Sequence, residues 1–471
     1  MAAKQTSNTS KKLKFSIRDT FWFQPSIYSV LAIVAVAIST ALDLWFVPMI
    51  SNVIPDLFLT NKSIASTLYG ALITATLTMT TISFSSIMVV LTTYSSQFSP
   101  RTLQDFMTDR ITQHVLGVYV FAFLYTLLNL ILLTEDGKRM LITPFLTVVV
   151  TVISLGFFVL FIHHSARWVQ VNNLIGKIQH ETLNVIKQSF SDKKYGVHES
   201  WNEEEIRQLQ HVERNDVPIQ EAGYIQHMNL QPFIQYASEN DFVVHLQFQV
   251  GDYVEKGETL FSYWKNGEKE VDVNHSQDYI LVGKERTNVQ DIEFSIQKLV
   301  EIALRAISPG INDPHTAVNC INRIGTLLAE LGRSYKYNKY YTDQEGQLRV
   351  IVDPKPYHEY LYKSFYQIRL YGKHDVSVMN GVLESMVKVA KVNGPAVKES
   401  VWNFSMYILR GIEEEGYDPY DLNLIQTIVD QLANVCNQDA PNLRSKGDQH
   451  DGVEKHIQRN ADGNERLGPG N

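Results

Sequence analysis

Cysteine is nearly absent: Cys320 and Cys436 are the only two in 471 residues. So sparse a supply excludes a disulfide framework and a Cys-x-x-Cys metal site, and two distant thiols suit a reducing compartment. A basic stripe is missing too. Net charge is −8 and the Lys and Arg residues are scattered, so nucleic acid is not an expected partner. No Walker-type phosphate loop, no Gly-x-Ser-x-Gly and no His-Glu-x-x-His occurs. With no catalytic, cofactor-binding or metal-ligating constellation, the sequence points away from an enzyme and implies no cofactor. No small-residue cleavage site follows the polar arm Ala2 to Lys14, so the first apolar segment is read as retained.

What is present is unevenly spread. Hydrophobic residues make up 45% and charged residues 20% of the chain, ordinary values overall, yet residues 27 to 162 are strongly apolar. Four stretches there suffice for a bilayer core of ~30 Å, which takes ~20 helical residues. They run from about Ile27 to Val47, Ser63 to Thr92, Val115 to Leu133 and Leu141 to Ile162. Lys4, Lys11, Lys12, Lys14, Arg18, Arg101, Arg110, Arg167 and Lys177 fall on one side, against Lys62, Lys138 and Arg139 on the other. The bias predicts an inner-membrane protein with both termini cytoplasmic. Trp22, Trp45 and Trp168 sit near span ends, as interfacial anchors would.

The second span carries Thr74, Thr78, Thr81 and Ser85 at helical spacing, broadened by Thr76, Thr80 and Ser83. Such a stripe serves either as packing glue between helices or as the polar wall of a path. Asp43, near the end of the first span, is an ionisable group at membrane depth or at the interface, and so a functional candidate. After the second span, Ser99 caps a short helix beginning at Pro100, and Arg101 can bind lipid phosphate or pair with an acid. His163 and His164 are neighbours on a helix, point about 100° apart and cannot easily share a metal.

Beyond the membrane half, helical pattern continues from Ala166 to about Phe190, followed by a charged linker or surface helix. The period then changes to that of strands: Gly223 opens one, and Phe242 to Phe248 alternates. Gly251-Asp252-Tyr253-Val254-Glu255-Lys256-Gly257-Glu258-Thr259-Leu260 resembles the hairpin of biotinyl/lipoyl-type folds, without the lysine turn that carries their cofactor. Helices return at about Val289 and run as Phe294–Ile307, Tyr357–Tyr371, Val376–Val392, Gly394–Glu414 and Asp421–Val435. Between the first two, Pro309-Gly310 breaks a helix and Asp313-Pro314 starts the next. Arg305, Asn312, Asp313 and His315 crowd this corner, as turn chemistry or as a ligand, metal or subunit contact.

The expected architecture is mixed: a four-helix transmembrane bundle plus a cytoplasmic α+β region with a small lipoyl-like β-module and a C-terminal helical domain. Its order is an N-terminal arm (1–26), the transmembrane domain (27–165), a cytoplasmic helix and linker (166–216), the β-module (217–284), the helical domain (285–436) and a disordered tail (437–471).

Three segments together resemble one bacterial family of predicted membrane proteins, domain of unknown function 2254. They are Ser96-Gln97-Phe98-Ser99-Pro100-Arg101, Gly223-Tyr224-Ile225-Gln226 and Arg305-Ala306-Ile307-Ser308-Pro309-Gly310-Ile311-Asn312-Asp313-Pro314. The resemblance covers roughly residues 15 to 436. It implies a multi-span inner-membrane protein and supplies no reaction or ligand. His315 stands where the family pattern has an aromatic, so the resemblance assigns it no role. Two functions follow as expectations. One is a membrane-anchored scaffold or sensor whose Asn312–His315 corner meets a ligand or partner. The other is a homo-oligomeric channel or transport-related protein whose second helix lines the path. The lipid bilayer is the expected partner in both, with the ligand unknown.

Overall fold

The computed structural model describes residues 22–50, 55, 58–97, 106–107, 109–133, 140–189, 195–265 and 271–443. Residues 1–21 of the N-terminal arm, the expected helix start at Ser99 and Pro100, Arg101 and the tail from residue 444 lie outside the described residues, while α1 already begins within the arm at Phe23. The chain divides into two compact units, Met1–Leu174 and Ile175–Asn471.

The first unit contains four helices long and apolar enough to cross a membrane. Helix α1 (Phe23–Ala41) passes through a π-helical turn at Leu42–Phe46 and continues over Val47–Ile50. Helices α2 (Lys62–Gln97), α3 (Arg110–Ile131) and α4 (Thr143–Trp168) follow. Helix α1 packs on α3, and α2, α3 and α4 pack on one another. A Cβ at Gly117 would collide with the Tyr28 ring, so glycine there lets α1 and α3 approach. The pattern is inverted relative to a water-soluble bundle. Val30, Ile33, Ile38, Val152, Leu155 and Val159 face outward, while Thr76, Ser83, Thr112, Thr126, Thr147 and Ser154 are buried. Aliphatic side chains lose nothing by facing lipid, whereas small hydroxyls allow close helix approach. At 36 residues α2 is about 54 Å long, well beyond what the ~30 Å core needs. At the opposite end of the bundle from Asp43, the Tyr94 hydroxyl donates to the Trp168 carbonyl (2.9 Å), and His164 Nε2 lies 2.9 Å from Asp109 Oδ2. Asp109 also caps α3, accepting from the amides of Ile111 and Thr112.

Helix α5 (Val171–Ser189) leads into the second unit. Its sheet strands are β1 (Gly196–His198), β2 (Arg214–Pro218), β3 (Gly223–Met228), β4 (Phe242–Leu246), β5 (Tyr253–Val254), β6 (Thr259–Lys265), β7 (Ile280–Gly283), β8 (Tyr340–Thr342) and β9 (Leu348–Val352). Helices α6 (Glu203–His211), α7 (Leu230–Glu239) and α8 (Val273–Gln277) lie between them. One sheet has the order β1-β8-β9-β4-β6-β2 and the other β5-β3-β7. The two arms of the Gly251–Leu260 hairpin enter different sheets: β5 pairs with β3, and β6 with β2 and β4. Val254 and Leu260 both reach the shared core, beside Ile225, Phe233, Phe242 and Phe261. The edge strand β2 carries Arg214, Asp216 and Pro218, which discourage further pairing.

The strands do not stop where the sequence places the β-module boundary at 284. Strands β8 and β9 come from the stretch assigned to helices, β1 from the stretch assigned to a linker, and β9 pairs in parallel with β4. All five residues of β9 are buried. A short apolar run that pairs a hundred residues away leaves no local period to detect.

Six helices make the rest: α9 (Ile292–Ala306), α10 (Pro314–Ser334), α11 (Tyr357–Gly372), α12 (Val376–Lys391), α13 (Pro395–Glu415) and α14 (Pro419–Cys436). They form three hairpins, stacked so that α9, α11 and α13 make one row and α10, α12 and α14 the other. Each hairpin turn ends on an aspartate that caps the next helix: Asp313, Asp375 and Asp418. Repeated helix pairs of this kind bury a continuous core by stacking on neighbours. In the stretch after α14, residues 437–440 and 442 are exposed and Leu443 is buried. Gln426 donates to the Pro441 carbonyl (3.0 Å) and accepts from the Leu443 amide (2.8 Å), which buries Leu443.

Candidate functional site

In the first unit the polar groups converge on Asp43. The π-turn inserts a residue into the helical repeat there, and Asp43 is turned inward, 9% exposed, while Trp45 beside it is 72% exposed. Its Oδ1 accepts from the amides of Ile142 (2.8 Å) and Thr143 (3.3 Å), and its Oδ2 accepts from the Thr143 hydroxyl. Ile142, at the start of α4, has no side chain able to cap it. Asp43 therefore caps α4 from another helix. A buried carboxylate costs several kcal/mol unless paired; three donors and the positive end of a helix dipole offset that cost. The acid lies at the end of the spans, which places it at their edge rather than at mid-depth.

Asp43 lines a cavity of about 50 Å³, together with Thr40, Lys62, Tyr69, Asn129 and Thr143 and a rim of leucines. That exceeds the ~10–15 Å³ one water needs. Asn129 donates through Nδ2 to the Tyr125 carbonyl (2.8 Å), so its amide oxygen remains an acceptor. Lys62 makes no ion pair among the described residues. The arrangement can hold a small polar species beside one negative and one positive side chain.

The hydroxyl stripe lies elsewhere. Thr74, Thr78, Thr81 and Ser85 are all exposed on α2, and the inward face is Ala65, Tyr69, Thr76, Met79, Ser83, Ile87 and Val90. Thr74, Thr78 and Thr81 donate to the carbonyls of Gly70, Thr74 and Leu77 at 2.9, 2.8 and 2.9 Å. The stripe thus does not glue the four helices of one chain together, nor line a path between them. Of the residues that broaden it, Thr76 and Ser83 point inward.

At the second-unit corner, Arg305 and Asn312 are exposed. Asn312 adopts φ 51°, a left-handed turn position that Asn tolerates. Asp313 Oδ1 accepts from the Thr316 amide (3.1 Å) and Oδ2 from its hydroxyl (2.6 Å), and these two bonds hold the Asp313 carboxyl below the usual carboxylate range. The Asp313 amide donates to the Ala306 carbonyl (2.8 Å). Turn and cap chemistry accounts for the corner, and no grouping of three or more His, Cys, Asp or Glu able to hold a metal occurs among the described residues.

A buried ionic cluster went unread in the sequence. Arg286 donates to Asp291 through Nε (2.5 Å) and Nη2 (3.1 Å), and to Glu293 Oε1 (3.3 Å); Lys355 closes on Glu293 Oε2. Burial alone raises the Glu293 carboxyl, but Lys355 and then Arg286 overcome it and hold the group below its ordinary value. Gly251, at φ 96°, presses the hairpin onto this cluster, where a Cβ would meet Asp291 and Arg286. Asp291 also caps α9 through the Phe294 amide (2.8 Å). That cap was legible as Asp before Ile-Glu-Phe, but Lys355 is 62 residues away from Glu293.

Uncharacterised proteins of Mycobacterium tuberculosis (strains CDC 1551 / Oshkosh and H37Rv) and Mycobacterium bovis are each 26% identical over 371 residues, covering 76% of this chain and 70% of theirs. No solved structure matches. The predicted membrane protein family DUF2254 matches residues 18–388, and with the four apolar helices and the motif corner now in place, the chain belongs to that family.

Proposed function

We propose that the protein is a non-catalytic, membrane-anchored scaffold or sensor, with both termini and the second unit on the cytoplasmic side of an inner membrane. The observation that carries the reading is the closed interior of the first unit. Tyr69, Met79, Ile87, Val90 and Tyr94 fill the inward face of α2, and the hydroxyl stripe faces out. The excess of Lys and Arg before α1, after α2 and after α4 supports the orientation. The second unit has its own core and a three-hairpin array, a form suited to binding. The two-sheet hairpin supports a lipoyl-like fold used for contact rather than for carrying a cofactor.

A second reading, an oligomeric channel, is favoured by one observation: Thr74, Thr78, Thr81 and Ser85 form an exposed line on which copies could meet around an axis. Planar bilayers separate the two. Purified protein that stays silent under varied voltage, tension and ion gradients supports the anchor. Currents that change selectivity in Thr78→Leu would replace it with the channel.

A further inference from the structure

We propose that the Asp43 cavity binds a small alkali cation, sodium or potassium. The inference goes beyond the scaffold reading and does not depend on it. A hard monovalent ion takes oxygen ligands, and the residues that line the cavity carry one carboxylate, three hydroxyls and an amide: Asp43, Thr40, Tyr69, Thr143 and Asn129. The carboxylate is more than nine-tenths buried and bounds the cavity. Its neighbourhood is the one irregular stretch described in the membrane helices, the π-turn Leu42–Phe46. Such turns recur at functional sites, and irregular helix segments recur at ion sites within membrane proteins. The volume of about 50 Å³ admits an ion with a water or two and excludes larger solutes.

Two features weaken the attraction, and they set its scale. The α4 amides and the Thr143 hydroxyl already share the Asp43 charge. Lys62, which makes no ion pair among the described residues, adds a positive charge to the same cavity. Occupancy is therefore weak, with half-filling at an ion concentration on the order of tens of millimolar, or about −2 kcal/mol of binding free energy. As a cationic residue of the lining, Lys62 is the built-in competitor.

The test is thermal unfolding of the full chain in detergent, in sodium, potassium or choline chloride at one ionic strength. The midpoint is expected to rise saturably in sodium or potassium over choline. Lys62→Gln should lower the half-effect concentration about tenfold, the loss of a like charge worth about 1.4 kcal/mol. Asp43→Asn also removes a helix cap, so Thr40→Val and Asn129→Leu carry the ligand test: both keep the cap, and both should abolish the cation-specific rise. Identical midpoints in all three salts for the unmodified chain and for Lys62→Gln would overturn the proposal. A rise that survives in both Thr40→Val and Asn129→Leu would overturn it as well.

Discussion

Removing Lys355 should destabilise the second unit strongly, and removing Glu293 with it should restore most of the loss. The side chains of Glu293 and Lys355 are 10% and 15% exposed, so solvent screening between them is slight. In Lys355→Met, Glu293 keeps Arg286, at 3.3 Å, and the weaker pull of Lys363, while Arg286 is already engaged twice by Asp291. Breaking one side of a buried pair costs about 3–5 kcal/mol, because the remaining charge is left buried; with Arg286 still in place, about 2–3 kcal/mol is expected. The pH dependence follows from the depressed Glu293 carboxyl. A group whose folded-state pKa lies below its unfolded value stabilises the fold above the unfolded value. That stability is lost as pH falls through the folded value. Lys355→Met should therefore flatten the loss of stability on acidification. The assay is hydrogen exchange on the full chain in detergent, read on α9 and the β5–β6 hairpin that Gly251 presses against the cluster. Glu293→Gln/Lys355→Met should recover protection to within about 1 kcal/mol of the parent. Costs of the two single changes that simply add in the double variant would refute the reasoning.

Gly251→Ala should cost about 1–3 kcal/mol, from the positive φ and from the close approach of Asp291, with increased exchange in the same hairpin as readout. Thr143→Val deletes one of the three donors to Asp43 and should cost about 1 kcal/mol, seen as a lower melting midpoint in detergent. Asp313→Ala loses the α10 cap, worth about 1 kcal/mol. Because the Asp313 carboxyl is held low, that difference should persist at neutral pH and vanish as pH falls through the folded value. Thr78→Leu should change melting by less than about 0.5 kcal/mol, since the hydroxyl is exposed and bonded only within its own helix; a larger loss would show that the outer face of α2 is packed in the native assembly.

The four spans and most of the later helices, though not their pairing into hairpins, could be read from the sequence because their signals are local. Length and apolarity mark α1 to α4. Pro314 at the first helical position, with Asp313 before it, marks α10; Asp418-Pro419 is the same signal for α14, which the sequence reading opens two residues late, at Asp421. Long-range pairing was not legible: β9 joins β4 across the whole first hairpin, and Lys355 reaches Glu293 from beyond β9. The inward face of α2 was not legible for another reason. Its hydroxyls recur all round the helix, so spacing alone cannot choose between Thr74, Thr78 and Thr81, which face out, and Thr76 and Ser83, which face in. Asp43 was visible as an ionisable group near a span end, but its role as a cap on a helix a hundred residues later was not.

One of the three segments that carry the family resemblance, Arg305 to Pro314, holds the first of three hairpin turns, and its Asp313 and Ser308 side chains are spent on helix ends. Asp313 caps α10, its amide binds Ala306, and Ser308 donates to the Arg305 carbonyl at 2.6 Å. A shared motif of this kind argues for a shared backbone path and carries no ligand with it. Polar groups that caps and turns do not use occur in both units, His227 Nδ1 and Asn380 Oδ1 among them in the second; in the first unit two of them line a cavity. Lys62, which makes no ion pair among the described residues, lines the cavity with Asp43, and the Asn129 amide oxygen is not consumed by its own helix. By that count the Asp43 cavity, built from residues of all four spans, is the better place to look for chemistry held in common with the mycobacterial relatives.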